Sequence, residues 1–302
     1  MPDLPDDVKD WIRYVFGACN QRTSRKMARI PTVHETSLDL TFIEHFSQFT
    51  TPVQLPSAWT IRLDTHYLGG GRHFGQWEIA DIGLLVLFRR GGQLIRSKVG
   101  LLQSKRLYPV EQDFNEDQPV DYLRGFGRLL EEDPAFVRAV EPRKFTFTDA
   151  SIYRALQVAD TQYHAIRDYE KKYSIPVHYL FYNPLTVPFS SQIPIIEPID
   201  LPAECEVGAR IVPAAILREG LKGKSTGYCP AFADLTSLLP PPFGGTASLG
   251  GWRFEDFVAD LLIECKDGYI AGRRDDPGLD LVFNRRAGPI SAAISVTFDA
   301  PA

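Results

Sequence analysis

The sequence predicts an α/β protein, and two observations carry that expectation. Segments of helical and of strand periodicity follow one another in the first 185 residues. Two of the strand segments are joined by Gly91-Gly92, a pair suited to a two-residue hairpin turn, and a helix and an apolar strand come after them.

Taken in order, Val8, Trp11, Ile12, Val15 and Phe16 recur at helical spacing behind Asp6 and Asp7, which predicts a short amphipathic helix. The basic stretch 21–29 follows, and Pro31 marks a boundary, so residues 1–30 read as an N-terminal helix and basic arm. A second helix is expected from Thr32, with Glu35 in its first turn and Asp39, Phe42, Ile43 and Phe46 on neighbouring turns. Strands are expected at 59–67, 78–90 and 93–106. A strict two-residue turn pairs position 81 with 102 and puts Gln103 and Lys105 on the face opposite Asp81. A three-residue loop or one bulge restores a shared face.

Residues 110–143 read as an acidic loop with a helix at 119–132, followed by a helix over 148–173 and a buried strand at 177–183. Proline-rich segments at 184–202 and 238–243 then flank a short GARIVPAAILREGL stretch, and a helix is expected at 252–265.

Composition narrows the function classes. With 33 basic and 38 acidic residues the net charge is -5, so a general polyanion binder is excluded and nucleic-acid contacts would use local basic clusters. The four cysteines form no CxxC pair, and the six histidines show no zinc-ligand spacing. The longest apolar run, Ile82 to Phe88, is too short to cross a bilayer, so a cytoplasmic protein without a membrane partner is expected. No G-x-S-x-G is present. Gly223-Lys224-Ser225-Thr226 has Arg218 where a phosphate-binding loop needs its first glycine. Glu264-Cys265-Lys266 lies on a predicted helix, where residues two apart do not share a face.

One constellation remains: a helix acid, Glu35, a strand acid, Asp81, and the amide-x-lysine Gln103-Ser104-Lys105 on the neighbouring strand. Alternation places Gln103 and Lys105 together and Ser104 away from them. The set resembles the PD-(D/E)XK, or restriction-endonuclease-like, nuclease superfamily over roughly residues 30–185. The resemblance implies a core at 31–200 with a mixed central sheet flanked by helices; residues 201–302 are expected to form an α+β extension for substrate or partner contacts. It further implies Mg2+ (or Mn2+) held by Glu35, Asp81 and Gln103, with Glu78 as an additional ligand and Asp64 in reserve. Lys105 would orient or polarise the attacking water and offset phosphate charge. Hard oxygen donors suit that metal and phosphodiester chemistry. The chain departs from the pattern in having Gln103 in place of the usual acid and Ala80 in place of the usual proline.

The activity implied is endonucleolytic cleavage of DNA, a chemistry that family uses in restriction and anti-phage defence, by a homodimer or with a partner protein. Arg25, Lys26, Arg89, Arg90, Lys98 and Arg106 are expected to hold phosphates. Two rivals belong to other classes. One is a catalytically idle nucleic-acid-binding module, the other a subunit that is active only in a complex docked through its C-terminal third.

Overall fold

The computed structural model describes residues 4–67, 79–111, 143–193, 198–237, 251–271, 276–280, 282 and 290–301. The helix expected at 119–132 lies outside them.

The first helix, α1 (Asp6–Arg29), is longer than its opening pattern suggests. Its buried stripe continues from Val8, Ile12, Val15 and Phe16 through Cys19, Asn20, Thr23, Ser24, Met27 and Ala28, so the basic stretch forms its last two turns and is not a separate arm. The polar residues on that stripe are satisfied internally: Thr23 Oγ1 donates to the Cys19 carbonyl (2.9 Å) and Asn20 Nδ2 to Glu255 (2.8 Å). Helix α2 (Glu35–Phe46) follows Pro31 and packs Phe42 and Phe46 against Phe16 and Phe254, with ring centroids as close as 4.6 Å.

Strands β1 (Val53–Gln54), β2 (Thr60–Tyr67), β3 (Ala80–Arg90) and β4 (Gln93–Arg106) come next. The β3–β4 turn takes its geometry from Gly91 and Gly92, both at positive φ (56° and 77°), as a tight hairpin of right-handed twist requires. Arg90 pairs with Gln93 and Arg89 with Leu94, but Phe88 then pairs with Arg96, leaving the half-exposed Ile95 as the extra residue of a bulge. The shift brings Ile82 opposite Leu102, and so continues to Asp81 beside Gln103. The single bulge that a shared face demands is therefore present.

A small sheet is formed by β5 (Val110–Glu111), β6 (Arg143–Phe147) and β8 (Phe189–Ile193). The helix expected over 148–173 starts late, as α3 (Thr161–Tyr173). Ala159 has a positive φ of 62°, and Asp160 caps the helix by accepting from Tyr163 N at 2.7 Å. Ile152, upstream, bridges to Tyr108 and Ala231 instead of entering a helix. Strand β7 (Val177–Tyr182) is buried along its whole length and runs parallel to β4.

The remaining strands are β9 (Arg210–Pro213), β10 (Trp252–Arg253), β11 (Tyr269–Ala271) and β12 (Ile290–Ala300), with helices α4 (Ala214–Gly220), α5 (Phe232–Thr236) and α6 (Phe254–Asp256). The last is continued by a wider π-helical stretch, Phe257–Leu262. All four strands join one nine-stranded mixed sheet ordered β1-β2-β12-β3-β4-β7-β9-β10, with β11 paired to β4. A boundary at residue 200 therefore does not separate two sheets. Strand β12 lies between β2 and β3, antiparallel to the first and parallel to the second. The architecture is α/β, a large mixed sheet flanked by helices.

Candidate active site

Strand β4 runs past the beginning of β3, so its last residues have β7 on one side and no described strand on the other. Successive residues of a strand send their backbone N–H groups to alternate sides. On the open side, Ser104 N donates to Asp81 Oδ2 (2.7 Å) and Arg106 N to Glu35 Oε2 (2.9 Å). Two carboxylates thus take the place of a neighbouring strand, which leaves no buried donor orphaned there.

Around these two acids the other groups assemble. Gln103 Nε2 donates to Asp81, and Lys105 Nζ lies 3.6 Å from Glu35 Oε1. Ser104 Oγ lies 2.7 Å from Asp81 Oδ2 and 3.0 Å from Asp39 Oδ2, and Tyr182 donates to Asp39 Oδ1 at 2.8 Å. Ser104, expected to point away, is the hinge between two acids, because Asp81 at the sheet end is within reach of both faces. Lys105 and Gln103 are almost fully buried (3% and 2% exposed), so their polar ends answer to protein groups and not to bulk water.

Charge in this enclosure is costly. Burial pushes the Glu35 carboxyl up; the Lys105 ammonium pulls it back, and the Asp81 charge adds to the rise. Asp39 is held well above the usual carboxylate range by burial and then by Asp81. The hydroxyl of Ser104 has one hydrogen for two carboxyl oxygens. One contact therefore needs a carboxyl proton, and Asp39 is the group placed to carry it.

Asp39 and Tyr182 are the site residues that sequence reasoning missed. Asp39 had a usable sign, since it lies one turn from Glu35 on α2. Glu78 lies outside the described residues. Asp64 sits on β2 in an ion pair with Arg62 (2.7 Å), two strands away from β3, and does not join the cluster.

The expected phosphate-holding residues separate into two groups. Arg106 is buried, its guanidinium donating to the carbonyls of Val33 and Pro31 and lying 4.2 Å from the Tyr108 ring centre. Lys98 is fully buried, and Lys26 donates to Thr41 Oγ1 (2.6 Å) and the Ser37 carbonyl (3.2 Å). Arg106 and Lys98 are structural cations, a correction that follows from the burial of β4 on both faces, whereas Lys26 is half-buried and tied to α2. Arg25 and Arg89 are half-buried and Arg90 is exposed.

Among the described residues no three His, Cys, Asp or Glu side chains close on one point at metal-binding distance. The donor set nevertheless suits a hard cation. Gln103 Oε1 is buried without a hydrogen-bond partner, beside Asp81. Magnesium keeps several waters and uses one or two carboxylates. The segments Glu264-Cys265-Lys266 and Gly223-Lys224-Ser225-Thr226 make their own pairs: Glu264 with Lys9 (2.9 Å) and Lys224 with Asp234 (3.0 Å).

No family model, curated protein or solved structure matches the chain.

Proposed function

We propose that this chain is a metal-dependent endonuclease of restriction-endonuclease-like type, hydrolysing phosphodiester bonds in DNA. The observation that carries the reading is the orphaned amide oxygen of Gln103, buried among acids that already repel one another and within the same cluster as Lys105. A buried acceptor without a donor calls for an unseen partner. A cation would satisfy it, and would offset both the burial that raises Glu35 and Asp39 and the smaller repulsion from Asp81.

Asp81, Gln103 and Glu35 are the residues that would hold Mg2+ or Mn2+, which when bound supplies Lewis acidity and a water of lowered pKa. Lys105 is the cation of the site. Held beside Glu35, it orients the attacking water and offsets charge that develops on the phosphoryl oxygens. Asp39 and Tyr182 fix Ser104 and, through it, Asp81.

The test is incubation of supercoiled plasmid with Mg2+ or Mn2+, comparing wild type with Lys105→Ala and with chelator. Wild type is expected to nick or linearise the plasmid, and the variant to lose at least about 100-fold in rate. Absence of cutting by wild type, with the DNA still bound, would move the reading to a nucleic-acid-binding module. One observation favours that second reading: the amide of Gln103 removes a negative charge that the usual acid would bring to the metal.

A further inference from the structure

We infer that a groove on the open face of the β2–β12–β3 half-sheet carries a single DNA strand to the acid cluster; this rests on the nuclease reading. The groove has a volume of about 300 Å3, enough for one nucleotide unit at a time. Leu85 and Leu87 of β3 form a half-buried apolar floor, and Arg62, Arg89 and Thr297 surround it.

Register places these groups in rows. Arg62, Thr297 and Leu87 lie side by side across three strands; the next row is Asp64, Ser295 and Leu85, and then His66, Ala293 and Gly83. Alternate residues on one face are about 6.6 Å apart, a spacing comparable to that between successive phosphates of an extended strand. Asp81 is the next residue of this face beyond Gly83, and Gln103, directly across from it, donates to it. The groove and the candidate site are thus one continuous track, with Leu85 about 13 Å along β3 from Asp81.

The chemistry of the rim fits a phosphodiester chain. Arg89 Nε is shielded from solvent and has no hydrogen-bond partner, whereas the Arg62 guanidinium is held over the groove by its bonds to Asp64 (2.8 and 2.7 Å). The Thr297 hydroxyl lies beside Arg62 and Leu87, and Ser295 lies one row further along, beside Asp64. Arg62 and Arg89 stand at a rim that Asp64 and Asp299 share, over a floor of Leu85 and Leu87, and cations beside an apolar surface match the alternation of charged backbone and flat base in a single strand.

The experiment is fluorescence anisotropy of a labelled dT12 oligonucleotide in EDTA, so that binding is read without cleavage, for wild type and for Arg62→Ala/Arg89→Ala. The double variant is expected to raise the Kd at least tenfold and to reduce the slope of log Kd against log salt by about 1 to 2. Both arginines face solvent or groove, and an unchanged melting temperature of the variant will show that the fold is intact. An unchanged Kd, tighter binding of a 12-base-pair duplex than of dT12, or no binding by wild type would overturn the groove assignment. So would a wild-type dimer that Leu87→Arg splits without altering dT12 affinity, since that face would then be a contact between copies. Arginine-dependent dT12 binding without plasmid cutting would retain the groove and remove the nuclease reading.

Discussion

Replacing Lys98 by methionine is expected to stabilise the protein. Lys98 is fully exposed to no solvent at all (0%), and its ammonium has no hydrogen-bond partner. Burial lowers its pKa from 10.5 to about 8, against the partial support of Cys265 and Asp267. A displacement of that size corresponds to about 3 kcal/mol of penalty on the charged form. In the folded state the proton leaves near pH 8, in the unfolded state only near 10.5. Below pH 8 both states are protonated and the penalty is complete. Between pH 8 and 10.5 the unfolded chain holds more protons, so wild-type stability rises with pH. Methionine keeps the unbranched stem without the charge. Urea unfolding at pH 7 should show Lys98→Met more stable by about 1 to 3 kcal/mol, the low end allowing for imperfect packing of the thioether. The gap should narrow steadily at pH 9 and 10. A variant less stable at pH 7, or a gap independent of pH, would refute the account of Lys98 as an unsupported buried charge.

Two further predictions concern the site and the hairpin. Asp39→Asn should be at least as stable as wild type at pH 7 in EDTA. The raised carboxyl of Asp39 costs wild type stability as pH climbs from about 4, so urea midpoints of the two proteins should diverge over that range, and parallel curves would mean that Asp39 carries no excess proton. Deleting Ile95 should leave plasmid cleavage intact: without the bulged residue a regular two-residue hairpin still sets Ile82 opposite the residue now numbered Leu102, and Asp81 beside Gln103. A folded deletion variant with no cleavage would show that the local twist of the bulge, and not the register alone, holds the site together.

Much of the site was legible because its residue types are unusual at strand ends. Gly91-Gly92 announced the hairpin, and the D…QxK spacing required either a three-residue loop or a bulge, of which the backbone contains the bulge. Asp39 went unnoticed because one more acid on a helix looks like solvated surface until the turn above Glu35 is seen to face a sheet. Lys98 and Arg106 misled for the opposite reason. From Ser97 onward β4 is buried on both faces, so strand alternation no longer separates inside from outside, and three cations, Lys98, Lys105 and Arg106, are buried there. In α1, Asn20, Thr23 and Ser24 interrupted the apolar stripe although they are buried, so the helix read short. Strand β12 carried little warning, since a short apolar stretch such as AAISV reads equally well as strand or buried helix.

The position of β12 has a consequence for how the protein is made. Residues 290–300 supply the rung that joins β2 to β3, although β2 and β3 emerge from the ribosome long before it. Until that segment is synthesised, the nascent chain holds two half-sheets with facing open edges, each a template for pairing with another nascent chain. Closure waits for a contact between residues more than two hundred positions apart, which slows folding and concentrates it into a late step. A chain stopped just short of β12 would therefore be not a slightly smaller protein but an unclosed one, prone to aggregation and to proteolysis.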